Sequence, residues 1–448
     1  MTSASPGPAP RRRFGNVLID PSPLRHDRDF RLLWLGQAVS QAGRMITSVV
    51  LPYQVYVLTG DLLTVGALSI VQLVPILVFS LGGGAVADAV DRRRLLLVTQ
   101  VGLALCSLAL AVLALVPATP VPAIFAVAFV AAGLGSIDMP ARASAIPRLV
   151  PPERLTAAIA MNWLMFNGAA VVGPAIGGIV LATAGVATAY FIDVLTFGAS
   201  IVALLLIAPI PPSPGAVRPS LRAVAEGLAF ARRKPEVLAT FVIDINAMVF
   251  GSPRSLFPAL ALDVFRVGPA GVGLMASAVA AGGLLATVFA GWTTSVRRIG
   301  RAVLISVAVW SLGIAAFGFA TFSFPLALLF LAIASGADVI SSILRSSIIQ
   351  LRTPDGLRGR VSSINTLVVT GGPRIGDAEA SVVAAVIGPA WSVVSGGLLS
   401  LVGTAVVALA LPAFTRLDLR AGANSAGADA DGDQPVPADA ASEATPPA

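Results

Sequence analysis

Apolar residues run along this chain in long stretches, broken by short polar segments. A stretch of about 18 or more apolar residues is long enough to cross a bilayer as a helix. Twelve such stretches are predicted, at Leu32–Leu58, Thr64–Ala87, Leu95–Val116, Val121–Ser144, Thr156–Thr183, Thr188–Ile210, Val237–Leu262, Ala270–Thr294, Ala302–Thr321, Pro325–Ile349, Val361–Ile387 and Trp391–Leu411. Lipid offers no hydrogen bonds, so backbone groups must be satisfied within each segment, and the stretches are expected to be helices.

The polar breaks alternate in charge. Arg11–Arg13, Arg25, Arg28 and Arg31 precede the first stretch, and Arg92, Arg93 and Arg94 follow the second. Arg148 and Arg154 follow the fourth, and Arg218, Arg222, Arg232, Arg233 and Lys234 lie between the sixth and seventh. Arg297, Arg298, Arg352, Arg358, Arg416 and Arg420 continue the series on the same side, whereas Arg266 is the one clear base on the other. Bases collect in cytoplasmic loops, so this bias predicts a multi-pass protein of the cell (inner or plasma) membrane with both termini in the cytoplasm.

Composition agrees. Of the 448 residues 56% are hydrophobic and 12% charged, where a soluble protein carries about 25% charge. The net charge of +7 follows from the loop arginines, and no nucleic-acid partner is expected. The polar, Arg-rich start from Met1 to Asp29 precedes a stretch too long for a signal-peptide core, so the first helix is expected to stay as an uncleaved anchor. One cysteine, Cys106, and one histidine, His26, exclude a disulfide and argue against a metal site or a Cys/His catalytic pair. With no phosphate-binding loop of the Gly-x-x-x-x-Gly-Lys-Ser/Thr kind, an ATP-driven protein is not expected. Neither an enzyme nor a cofactor is predicted.

The chain also repeats itself. Asp138 and Arg142 near the end of the fourth stretch are followed by Pro152-Glu153-Arg154-Leu155; Asp338 and Arg345 in the tenth are followed by Pro354-Asp355-Gly356-Leu357. Matching elements in two halves are the mark of a transporter whose halves rock about a central site. The predicted organisation is a cytoplasmic segment 1–31, a six-helix bundle 32–210, a linker 211–236, a second six-helix bundle 237–412 and a disordered tail 413–448.

Particular motifs resemble a known family. Gly83-Gly84-Ala85-Val86-Ala87-Asp88-Ala89-Val90-Asp91-Arg92-Arg93-Arg94 resembles the major facilitator signature between helices two and three, with Ala89 where the family has a base and Asp91 where it has Gly. Gly173-Pro174-Ala175-Ile176-Gly177-Gly178 resembles the helix-five motif of that superfamily's antiporters. Phe30–Gln37, Asp138-Met139-Pro140-Ala141-Arg142, Asp244–Arg254, Pro354–Val361 and Gly371–Glu379 together are similar to the enterobactin-exporter-like and drug-efflux branch of these bacterial permeases. The resemblance implies an all-α fold of twelve transmembrane helices in two pseudo-symmetric halves. It also implies a monomer that exports a small molecule in exchange for protons.

Charges inside the predicted helices mark the site, because each costs at least about 2.5–3.5 kcal/mol at mid-bilayer and persists only for function or pairing. Arg374, Asp377 and Glu379 follow Gly371-Gly372-Pro373, read as a helix break. Arg374 and Asp377 are three apart and can pair on one face. Asp377 or Glu379 is the expected proton carrier, tuned by Arg374; a structural ion pair is the alternative. Arg44, Asp244, Arg254 and Asp193 are cavity or substrate candidates, with Asp193 and Asp244 open to an interface role. Arg44, Arg254 and Arg374 could face an anionic catecholate, and Trp163, Phe166 and Phe250 could line an apolar pocket. Gly84, Asp88, Arg92, Arg93, Asp138, Arg142, Asp338, Arg345, Gly173, Pro174, Gly177 and Gly178 are gating candidates. Three functions fit: a proton-coupled exporter of a siderophore or drug-like amphipath, a multidrug or macrolide efflux pump, and a lipid flippase or non-transporting sensor.

Overall fold

The computed structural model describes residues 20–211 and 221–418, and side chains throughout these except at 80–89, 221–225, 227 and 355. The expected disorder of the tail therefore falls almost wholly outside the described residues. The described chain is nearly all helix. A short α1 (Ser22–His26) leads into α2 (Arg28–Thr59), α3 (Leu62–Ala89), α4 (Arg92–Leu115), α5 (Val121–Leu149) and α6 (Pro152–Leu206). After α7 (Leu221–Arg233) come α8 (Pro235–Phe250), a broken stretch 251–264 containing α9 (Phe257–Ala259), then α10 (Pro269–Val288), α11 (Ile299–Phe319), α12 (Phe324–Arg352), α13 (Asp355–Ile387), α14 (Pro389–Ala410) and α15 (Pro412–Thr415). Among the described residues, nine helical stretches are long and apolar enough to cross a membrane.

Local chemistry sets several boundaries. The carboxylate of Asp61 accepts from Leu63 N at 3.1 Å and Thr64 N at 2.9 Å, capping α3. Asp91, one of the departures from the family signature, caps α4 by accepting from Arg94 N at 3.0 Å. Gly60 ends α2 at φ 63°, donating its N–H to Tyr56 O.

At 55 residues, α6 is far too long for one crossing at 1.5 Å per residue. It folds back at Gly185, whose φ of 80° and ψ of 178° suit glycine alone. The packing on α2 proves the reversal. Trp34 donates to Met161 O and Gly173 and Gly177 meet Met45 and Ile46, so arm 152–184 runs parallel to α2. Gly36 meets Ala203 and Tyr190 donates to Gln54, so arm 186–206 runs antiparallel. The arms correspond to the predicted fifth and sixth stretches.

Two expectations need correction. The predicted seventh helix is not continuous, because α8 stops at Phe250 and the chain passes Gly251-Ser252-Pro253 before turning again. Conversely α13 runs unbroken through Gly371-Gly372-Pro373. Gly372 and Gly376 there let α8 lie close, since a Cβ at 372 would sit 3.0 Å from the Met248 Cβ.

The first helices, α2 to α6, meet the later ones along two main seams, α3 on α13 and α6 on α10. At the end opposite the arginine clusters, one hydrophobic cluster runs through both sets, joining Ile46, Val50 and Val65 to Phe257, Met275 and Phe317. At the basic end that cluster continues only in the second set, at Ile299 and Phe414, and among the described residues no cluster there spans both sets. Leu33, Leu96 and Leu204, or Phe30, Ile146 and Ala158, belong to the first set; Val237, Phe241, Ile349 and Val361 belong to the second. Among the described residues, hydrophobic clusters thus join the two sets at the far end and not at the basic end.

Candidate functional site

The buried charges fall into four groups. In the first, Asp138 on α5 is wholly buried. Arg142, one turn on, donates Nε to its Oδ2 at 2.7 Å; Thr99 and Gln100 of α4 donate to Oδ1 at 2.8 and 3.0 Å. Arg44 of α2 stands 3.9 Å from the same carboxylate and donates to Gln41 at 2.6 and 3.1 Å. The expected Asp138–Arg142 pair is present, and Arg44 has joined it. Among the described residues, both terminal nitrogens of Arg142 are buried without a hydrogen-bond partner.

The second group inverts that ratio. Arg345 of α12 sits 2.8 Å from Asp244 of α8 and 3.9 Å from Asp338. The expected Asp338–Arg345 pair is therefore secondary. Asp244, which the sequence left between two roles, holds the arginine. Asp338 is a third exposed and shares a cavity of about 60 Å³ with Arg254, Ser335, Phe257 and Trp310.

The third group lies on the α3–α13 seam. Asp377 is 7% exposed and, among the described residues, takes no guanidinium within 4.0 Å. Its Oδ1 accepts from Ser255 N at 3.1 Å and Ser252 Oγ at 3.3 Å, and its Oδ2 from Ser69 Oγ of α3 at 3.4 Å. The expected Arg374–Asp377 pair does not form. Arg374 reaches instead across the seam to Gln72 of α3, because Asp377 turns toward the broken stretch, where a free backbone N–H is on offer. Glu379 makes no hydrogen bond, and helical spacing places it near the stripe of Ile375, Val382 and Val386, which are 46%, 55% and 81% exposed.

The fourth group is Asp193 on the second arm of α6, 1% exposed and, among the described residues, without an ion pair. Thr47 of α2 and Ser107 of α4 donate to its Oδ2 at 2.6 and 2.7 Å.

Among the gating candidates, Gly178 packs against Ala270 and Gly273 of α10, while Gly173 and Gly177 pack on α2 with Pro174 between them. Arg92 donates to Ser144 and Pro211 O, and Arg93 to Leu204 O and Leu205 O, tying α4 to its neighbours at the basic end. The Gly84 and Asp88 side-chain positions lie outside those described. Sequence reasoning passed over the polar partners Thr47, Ser69, Gln72, Ser107, Ser252 and Ser255. It also passed over Tyr56 of α2, which donates to Asp263 across the far end. Single hydroxyls in apolar helices carry no pattern; only Ser252-Pro253 inside a predicted span gave a local signal.

A family model described as transmembrane secretion effector matches residues 20–430. The enterobactin exporter of Citrobacter koseri is 26% identical over 393 residues, covering 88% of this chain and 94% of its own. That of Shigella boydii is 26% identical over 380 residues, covering 85% and 91%. A bacterial homologue of the iron transporter ferroportin in an inward-facing state superposes with a TM-score of 0.68 at 18% identity, covering 87% of this chain and 99% of its own. A bacterial homologue of the lysosomal transporter Spinster, also inward-facing, gives 0.69 at 14% identity, covering 88% and 99%. The chain is a multi-pass membrane protein, not an enzyme, and it belongs to the transmembrane secretion effector family of the major facilitator superfamily.

Proposed function

We propose that this protein is a proton-driven exporter of a small anionic amphipath of the siderophore type, working by alternating access as a monomer in the cell membrane. Its cofactor-free drive is the proton gradient. The transporter reading takes twelve crossings: the nine apolar stretches among the described residues, counted as ten with α6 divided at Gly185, together with α2 and α13, which fall outside that set. Residues 32–210 and 237–412 then form the halves, with the basic end and both termini in the cytoplasm. The separate hydrophobic clusters at that end fit a cavity open to the cytoplasm.

One observation carries the coupling. Asp377 sits on the seam that must part when the far end opens, and Ser69, one of its ligands, belongs to the opposite half. Opening removes that hydroxyl and admits water to a carboxylate that is otherwise buried, so proton exchange is tied to the rocking motion. Glu379 touches no such contact, and Asp377 is the better of the two sequence candidates. Arg44, Arg254 and Arg374 are at least partly exposed; among the described residues Arg254 and Arg374 have no ion pair and Arg44 only one at 3.9 Å, which suits an anionic substrate; the relatives are named for enterobactin export. A second reading, efflux of cationic antibiotics, is favoured by Asp338, a third exposed beside the cavity.

The test is transport in proteoliposomes. Asp377→Asn is expected to lose gradient-driven uphill movement of enterobactin while keeping exchange down its gradient, and Glu379→Gln to keep both. Uphill transport by Asp377→Asn at the wild-type rate would end the role of Asp377. The same loss in Glu379→Gln alone would move the role there.

A further inference from the structure

Asp193 is the carboxylate that the mechanism above does not use. It lies 1% exposed among α2, α4 and the second arm of α6. A buried ion without a counter-charge is costly in a lipid-embedded bundle. Its two oxygens are treated unequally. Thr47 and Ser107 both donate to Oδ2, at 2.6 and 2.7 Å. Oδ1 meets only the Thr196 hydroxyl at 3.4 Å, and that hydroxyl already donates to Asp193 O at 2.7 Å. Oδ1 is thus the oxygen left for a proton, with the Thr196 oxygen placed to accept from it. Room around Oδ1 depends on Gly43, where a Cβ would lie 2.5 Å from that oxygen.

Arg44 lies one helical turn below Thr47 on α2. Its guanidinium is committed to neither acid. It stands 3.9 Å from Asp138 with no hydrogen bond to it and rests on Gln41. Asp138 is already held by Arg142, Thr99 and Gln100, so it does not need Arg44. The other ionisable groups near Asp193 are Tyr190 on its own arm, which donates to Gln54, and buried Cys106 beside Ser107 on α4; α5 brings only the Asp138–Arg142 pair.

We propose that Asp193 is a second proton-binding carboxylate, in the first half of the protein, and that Arg44 reads its state by moving between Asp138 and Asp193. With the proton on Oδ1, Asp193 is neutral and Arg44 stays with Asp138 and Gln41, as seen here. When the proton leaves, the bare carboxylate draws Arg44 up one turn, away from the basic opening. Arg44 is 23% exposed, so this motion changes where the cation stands in the basic opening. The use made of the site rests on the exporter reading above; the protonation of Asp193 does not.

The test is infrared difference spectroscopy of the purified full-length protein across neutral and acidic pH, reading the C=O stretch of protonated carboxyl groups. Wild type is expected to show a component that Asp193→Asn removes and Asp193→Glu restores at a shifted frequency. Thr47→Val, which changes no charge, is expected to move that component by removing a hydrogen bond, and serves if Asp193→Asn fails to fold. In enterobactin transport, Arg44→Gln and the double variant Arg44→Gln/Asp193→Asn are expected to behave alike. Spectra of Asp193→Asn and Thr47→Val that superpose on wild type would overturn the proposal, whatever transport does. A carboxyl component that vanishes in Asp193→Asn, with no gradient-driven transport by wild type, would leave the site standing and remove the exporter reading.

Discussion

Gly178 of α6 faces the backbone of α10 at the far end, and adding a single methyl there is the sharpest perturbation of the rocking equilibrium. A Cβ at 178 would lie 2.9 Å from Ala270 O and 3.0 Å from Gly273 Cα, where ordinary contact begins at 3.4 Å. The shortfall of 0.4–0.5 Å falls on backbone, which cannot swing aside as a side chain can. Gly178→Ala therefore forces α6 and α10 apart. Overpacking of this kind costs about 1–3 kcal/mol. The strain exists only while the far end is closed, because opening separates the two helices. The equilibrium should thus move toward the far-open state by about 5- to 150-fold. The assay is labelling of a cysteine at Ser69, which faces Asp377 across the seam, by a membrane-impermeant maleimide after Cys106→Ala removes the native thiol. Labelling of the Gly178→Ala protein should be faster by that factor. Gly168→Ala, where a Cβ meets nothing within 4 Å, should leave the rate unchanged. Equal labelling of folded Gly178→Ala and its parent would refute the claim that this crossing holds the far end shut.

Three further outcomes are expected. Gly185→Ala places a Cβ at φ 80°, ψ 178°, and should cost about 1–3 kcal/mol in thermal unfolding in detergent, since only the fold-back of α6 demands that geometry. Arg345→Gln strips Asp244 of its ion partner and should cost about 3–5 kcal/mol, with Arg345→Gln/Asp244→Asn recovering much of the loss by the same measurement. Asp61 lies outside the membrane, and hydrogen bonds, first from the Thr64 hydroxyl and then from the Leu63 and Thr64 amides, hold its carboxyl below the usual carboxylate range. A lowered value means stability that is present above the ordinary carboxylate value and is lost as pH falls through the lowered one. Asp61→Ala should therefore reduce the melting temperature at neutral pH, and the difference from wild type should shrink in strong acid.

The helices were legible in sequence because lipid imposes one requirement along the whole chain: long apolar runs with satisfied backbones. The fold-back at Gly185 was anticipated as a gap between two stretches, since Ala184-Gly185-Val186 is as apolar as its surroundings and only the length of the run called for a turn. The fate of Pro253 and Pro373 was not legible. Each follows a glycine or serine inside an apolar run, yet one lies in a broken stretch and the other in a continuous helix. The difference lies in the neighbours: Gly372 and Gly376 are held against α8, and a broken α8 leaves the Ser255 amide free for Asp377. Charge pairing was read correctly within one helix at Asp138 and Arg142, where four-residue spacing decides it. Spacing does not show a partner that comes from another helix, as Gln72 does for Arg374 and Asp244 for Arg345. Sequence shows which charges are buried; the packing of neighbouring helices decides what they hold.

The central claim is outward transport driven by a proton gradient, and uptake into everted membrane vesicles tests it most directly. Vesicles containing this protein should accumulate enterobactin, an anionic catecholate, when a proton gradient is imposed. They should lose it when a protonophore collapses the gradient. No accumulation of enterobactin or of a panel of cationic and neutral antibiotics, with the protein inserted and folded, would contradict the account and turn attention to lipid substrates or a sensing role.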